Sequence, residues 1–194
     1  MMNSKKIGLY FGTFNPIHIG HLIVAEYMVE HTDLKEVWFV VTPSNPLKKK
    51  ATLLDEHHRL YMVNLAIEND SRFRSSDVEF KLPYPSYTCH TLAHLQAQYP
   101  DKEFVLIMGE DNLVNLEKWK NWEYIVEHYP IYTYPRSGNE AASCHFSSVV
   151  KVQAPKIEIS ATLIRDSIKQ KKEVKYLLLP QVYNYIDEMN FYKK

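Results

Sequence analysis

The segment Gly12-Thr13-Phe14-Asn15-Pro16-Ile17-His18-Ile19-Gly20-His21 places two imidazoles three positions apart, between a short apolar run and a helical pattern. Residues three apart share one side of a helix. The first turn carries free N–H groups and the positive end of the dipole, both of which favour an anion. Imidazole donors there could meet a nucleotide phosphate. The plain alternative is that one ring caps the helix and the other packs, as lone histidines usually do. Far along the chain, Ile159-Ser160-Ala161-Thr162-Leu163-Ile164-Arg165 forms a second group. Ser160 and Thr162 are helix-start residue types and Arg165 falls within the first turn. Hydroxyls, N–H groups and a guanidinium can therefore converge on leaving-group oxygens. An ordinary N-cap with an exposed arginine is the alternative.

Positioning these groups requires a scaffold, and the hydrophobic pattern supplies one. Ile7 to Phe11 is a short strand ending in Gly12, His21 to His31 has a helical apolar face, and Val37 to Val41 (VWFVV) reads as a strand buried on both faces. Asp55 to Asn69 predicts a second helix and Phe73 to Phe80 a strand. Ser86 to Gln98 is helical, Glu103 to Met108 is another buried strand, and Asp111 to His128 is helical in one or two pieces. Ile131 to Tyr134 and Val149 to Val152 are further strands around a polar loop, and Ser160 to Lys171 and Pro180 to Phe191 close the chain as helices. The alternation predicts an α/β fold with a doubly wound, mostly parallel sheet and helices on both faces. Ligands of such sheets sit beyond the carboxyl ends of the strands.

The string G-T-F-N-P-I-H-I-G-H resembles the G-x-F-x-P-x-H-x-G-H signature of the HIGH-type nucleotidylyltransferase superfamily. Residues 159–165 resemble its second signature, I-S-[ST]-T-x-[IL]-R, with Ala161 at the variable third position. Over nearly the whole chain the sequence is similar to the bacterial nicotinate-nucleotide adenylyltransferase family. The matches are Pro43-Ser44-Asn45-Pro46-Leu47-Lys48, Pro85-Ser86-Tyr87-Thr88 with Thr91-Leu92, Gly109-Glu110-Asp111-Asn112-Leu113 with Trp119, and Leu179-Pro180 with Val182 and Tyr185-Ile186. Leu47, the Cys89-His90 pair and Glu110 depart from the family's usual pattern.

The resemblance implies a Rossmann-like fold and transfer of AMP from ATP to nicotinate mononucleotide, with pyrophosphate leaving. By the same resemblance His18, His21 and Arg165 are the catalytic set. ATP falls to Gly12, Thr13, Phe14, Lys48, Gly109, Asp111, Ser160 and Thr162. Nicotinate mononucleotide falls to Asn15, Tyr87, Thr88 and Trp119, with the indole stacking on the pyridine ring. Mg²⁺ is expected to travel with the triphosphate. The central expectation is that two distant segments fold into one cationic cradle for the triphosphate tail. An adenylyltransferase for nicotinamide mononucleotide or phosphopantetheine, and a nucleotide-sensing module without turnover, are the alternatives.

Composition narrows the field. The chain has 194 residues, read as one domain over 1–194, with 23 Lys plus Arg against 23 Asp plus Glu. No basic excess favours a grip on nucleic acid or an anionic membrane. The five glycines form neither a Walker loop nor a G-x-G-x-x-G fingerprint. Cys89 and Cys144 form no disulfide framework or cysteine-rich zinc site, and the amino-terminal apolar run is broken early by Gly, Asn and Pro. A cytoplasmic protein with no resident metal site is the expectation. His90 and His94 lie one helical turn apart, but Thr91 stands where a zinc-protease helix needs its glutamate. Neither a G-x-S-x-G elbow nor a K-M-S-K-S-like loop is found. The sequence leaves the oligomeric state open, a homo-oligomer included.

Overall fold

A computed structural model describes residues 5–43, 53–136 and 146–193. Its six strands are β1 (Lys6–Gly12), β2 (Glu36–Val41), β3 (Phe73–Ser76), β4 (Glu103–Gly109), β5 (Ile131–Tyr134) and β6 (Val149–Lys151). They form one sheet in the order β3-β2-β1-β4-β5-β6, and every neighbouring pair is parallel. The helices are α1 (Ile19–His31), α2 (Glu56–Ile67), α3 (Thr88–Gln98), α4 (Glu110–Leu113), α5 (Trp122–His128), α6 (Ala161–Lys169) and α7 (Pro180–Glu188). This is the expected α/β architecture, with the sheet wholly rather than mostly parallel.

Parallel strands joined by helical crossovers are covered on both faces, so consecutive side chains must both be apolar. In β2, Val37, Phe39 and Val41 enter a core shared with residues of α1, α2, α6 and α7, while Trp38 and Val40 enter the core under α3 and α5. β4 alternates likewise, with Val105 and Ile107 on the first side and Phe104, Leu106 and Met108 on the second. These runs are legible in the sequence because neither face meets water.

Two expected elements need correction. Phe73 to Phe80 is not one strand: β3 ends at Ser76, and Val78–Lys81 forms a turn of 3-10 helix. β3 pairs with β2, whose last ladder partner for it is Val40 against Ser76. β2 itself ends one residue later at Val41, and the 3-10 turn carries Val78 and Glu79 inward. The Asp111 to His128 stretch divides into α4, a 3-10 turn at Leu116–Lys118 and α5, with Asn121 in the left-handed region before α5. Among the described residues no helix is long and apolar enough to cross a membrane.

The connections reverse direction between β1 and β4, the adjacent central strands. A crevice opens at the carboxyl ends of such a pair. The segment after β1 holds the first histidine motif, and the segment after β4 holds Gly109 to Asp111.

Candidate active site

His18 occupies the N-cap position of α1 in an extended conformation, where Ser, Thr, Asp or Asn is usual. The His18 N–H donates to His21 Nδ1 at 3.2 Å, and the His21 N–H donates to His18 O at 2.9 Å. The two rings stack with centroids 3.7 Å apart. The capping alternative is therefore realised by His21, which caps the backbone that precedes it. Because its Nδ1 accepts, the neutral His21 ring carries its proton on Nε2 and keeps a donor for another partner.

Burial lowers the His18 pKa to about 4, with Arg136 adding to the effect. Burial, then His18, then Arg136 hold His21 well below the ordinary histidine value. Both rings are thus neutral at pH 7 in the unliganded protein, so the positive charge of the expected cradle rests with arginines rather than imidazoles. The imidazoles offer N–H donors. His18 Nδ1, with the residue only 6% exposed, lacks a hydrogen-bond partner among the described residues.

Sequence reasoning missed Arg136, which follows β5 by two residues. Together with Tyr10, His18, His21, Tyr134, Ile157 and Ile159 it lines a gap of about 10 Å³. Its Nε and Asp111 Oδ1 are 3.8 Å apart, and both are buried atoms without a hydrogen-bond partner among the described residues. Gly109 is needed beside them, since a Cβ there would overlap Asp111 Oδ1 and come within 3.0 Å of Arg136 Cγ. The Tyr10 and Tyr134 hydroxyls lie 3.1 Å apart behind the histidines, and burial pushes both phenols up, so they remain protonated.

The second motif does come back to the first. Arg165 Nη1 donates to Asn15 O at 2.7 Å and Nη2 to Thr162 Oγ1 at 3.2 Å. Ser160 caps α6 by accepting from Leu163 N–H at 3.1 Å. At the other end of the segment, a Cβ on Gly20 would come within 2.9 Å of Ile157 Cγ2 and 3.1 Å of the His18 ring. A glycine at position 20 is what lets the Ile157 to Ile159 segment close over the start of α1.

The intervening loop is built from within. Phe14 adopts φ of 44°, an unusual conformation for a bulky residue. Its ring is buried against Tyr10, His21 and Phe39 and covers Gly12, whose Cβ would lie 2.8 Å from it. Asn15 Oδ1 accepts from Tyr192 Oη at 2.7 Å and from Leu54 N–H at 3.3 Å. The Asn15 carboxamide oxygen and the Phe14 ring thus spend their contacts inside the protein. Arg59, with 0% exposure, was also missed; from α2 it donates to the carbonyls of Leu54, Thr13, Thr42 and Pro43 at 2.6–2.9 Å. One guanidinium thereby fixes the segments that follow both β1 and β2.

A larger cavity of about 330 Å³ lies on the α3 side of β1. Gly12, Thr13, Tyr87, Thr88 and Trp119, all expected from the sequence, share its lining with Glu79, Lys118 and Lys120. Tyr87 is the N-cap of α3 and Thr88 its first helical residue, so the start of that helix borders this cavity. Glu79 is 3% exposed; its Oε1 accepts from Thr91 Oγ1 at 2.8 Å, and burial raises its pKa. Cys89 is buried, and His90 meets the Tyr87 ring edge-on at 5.6 Å, so this departure from the family pattern preserves the helix core and braces Tyr87. His90 and His94 belong to no group of metal-ligating residues among those described. Lys48 and Leu47 lie outside the described residues.

The comparisons agree with this geometry. The cytidylyltransferase-like family model matches residues 9–167. A Flavobacterium psychrophilum protein described as "Probable nicotinate-nucleotide adenylyltransferase" is 58% identical over 97% of this chain and 100% of its own length. A protein of the same description from Flavobacterium johnsoniae is 57% identical over the same shares. Among solved structures, Plasmodium falciparum nicotinic acid mononucleotide adenylyltransferase complexed with NaAD superposes with a TM-score of 0.80 at 21% identity, covering 97% of this chain and 98% of that one. The last likeness is one of fold; the high identities over full length go further. With both signature segments meeting at the switch point of a Rossmann-like sheet, the chain belongs to the nicotinate-nucleotide adenylyltransferase family.

Proposed function

We propose that the protein transfers AMP from ATP to nicotinate mononucleotide. An oxygen of the mononucleotide phosphate bonds to the α-phosphorus of ATP, and the bond from that phosphorus to the bridging oxygen breaks. The products are nicotinate adenine dinucleotide and pyrophosphate. The attacking oxygen is already anionic, so no covalent enzyme intermediate is needed, and positioning and charge stabilisation supply the catalysis. The observation that carries the reading is the return of the Arg165 segment onto the histidine loop through Asn15.

In this reading the neutral imidazoles donate N–H groups to phosphate oxygens, and Arg136 and Arg165 supply positive charge. Ser160 and Thr162, with the start of α6, face the departing β and γ groups. Asp111 sits where a carboxylate can accept from ribose hydroxyls. The 330 Å³ cavity receives the mononucleotide, with Trp119 as the plate for the pyridine ring. Mg²⁺ accompanies ATP: around His18, His21, Arg136 and Asp111 the described residues offer one carboxylate, a donor set suited to an ion that keeps substrate oxygens and waters. Its chemistry there is neutralisation of phosphate charge. The test is pyrophosphate release from ATP and Mg²⁺ with a panel of acceptors. Nicotinate mononucleotide is expected to be the best acceptor; absence of pyrophosphate with it overturns the proposal.

A further inference from the structure

We propose that the side chain of Lys120 determines acceptor specificity by engaging the carboxylate on the pyridine ring, which separates the acid mononucleotide from its amide. The inference rests on the reading of the 330 Å³ cavity as the mononucleotide site. Lys120 lines that cavity, and its Nζ lies 4.5 Å from the centroid of the Tyr87 ring. A cation held over an aromatic face is placed without losing its charge to a counterion. Among the described residues no carboxylate lies within ion-pair distance of Lys120, whereas Lys5, Lys6, Lys81 and Lys193 each have one. Lys118, on the same wall, is tied to Asn115 Oδ1 at 2.7 Å.

Tyr87 is the N-cap of the eleven-residue α3, so the ring that the ammonium faces belongs to the residue that opens that helix, and Thr88, its first helical residue, lines the same cavity. The ammonium's influence is felt there: burial raises the Cys89 thiol, and Lys120 opposes that rise. Free N–H groups and an ammonium on one side of an aromatic slot suit a planar anion. Glu79 is the single acid of the lining, and burial draws it toward its neutral form, so an incoming carboxylate meets little repulsion. A carboxamide gains none of the charge–charge contact and presents an N–H₂ donor to a wall of donors.

The experiment compares the full chain with Lys120→Met and Lys120→Arg, measuring kcat and KM for nicotinate mononucleotide, nicotinamide mononucleotide and ATP. Lys120→Met is expected to raise KM for the acid about tenfold or more, the scale of one charged hydrogen bond. Its kcat, the ATP KM and the amide KM should stay within about twofold, the salt dependence of the acid KM should weaken, and Lys120→Arg should recover most of the loss. An unmoved acid-to-amide ratio in Lys120→Met, or equal losses on both acceptors, overturns the inference while leaving the proposed reaction standing. A wild-type protein that does not turn over nicotinate mononucleotide overturns the reading of the cavity and this inference with it.

Discussion

At the histidine end of the cleft, the side chains enclose about 10 Å³, room for a single water at most, and their polar atoms are buried. At the tryptophan end the cavity holds about 330 Å³, and its two cations, Lys118 and Lys120, are surface lysines. The first region fixes donors by packing: rings stack, one imidazole caps the other's backbone, and Gly20 admits the returning chain. The second leaves space, lined by Trp119, the start of α3 and the exposed Lys118 and Lys120. In the proposed reaction, rigidity thus falls where charge would develop in the transition state, and the open space falls where the acceptor would be chosen.

The sharpest way to break this contrast is through Arg59, the foundation common to both ends. Arg59→Met removes the buried guanidinium that donates to the carbonyls of Thr13, Thr42 and Pro43. The expected loss of stability is about 3–5 kcal/mol, measured by denaturant unfolding. A change under about 1 kcal/mol would show that the segments are held by something else. Next in size, His21→Ala should lower kcat by about 10²- to 10³-fold, or roughly 3–4 kcal/mol, with cooperative unfolding retained and stability reduced by about 1 kcal/mol from the lost cap. Near-normal turnover would remove His21 from the chemistry.

Acid should find the histidine end first. His18 titrates near pH 4 in the folded protein against an ordinary value of 6.5, so below 6.5 the unfolded chain binds more protons than the folded one. Stability is complete above about pH 6.5 and falls as the pH drops toward 4, by on the order of 3 kcal/mol from this residue. Urea midpoints across that range check the sign, and a His18→Asn variant should flatten the slope. The smallest effect belongs to the tryptophan end. Trp119→Ala should weaken the mononucleotide by about 2 kcal/mol, seen as a raised KM, with the ATP KM little changed. Equal losses for both substrates would place Trp119 in the core rather than at the acceptor.

The strands were legible because burial on both faces writes itself as unbroken apolar runs, as in Val37 to Val41 and Phe104 to Met108. The site segments were legible because their residue types lie close together in the chain. Arg59 was hidden by its neighbours: within Asp55-Glu56-His57-His58-Arg59 it reads as one more residue of a charged face, yet it is the one that points inward. Arg136 leads into a polar loop, and its value comes from β5 running beside β4, a relation absent from local spacing. Glu79 was lost with the overlong strand. The charge state of the histidines depends on burial by residues from several elements, so spacing could suggest donors but not that both would be neutral.

Tyr192 reaches across 177 positions to Asn15, whose backbone oxygen in turn receives Arg165. The polypeptide's tail therefore acts as a latch on its first functional loop. Replacing Tyr192 by phenylalanine is expected to alter turnover before any loss of folded material, because the disturbance arrives at the loop rather than in the sheet.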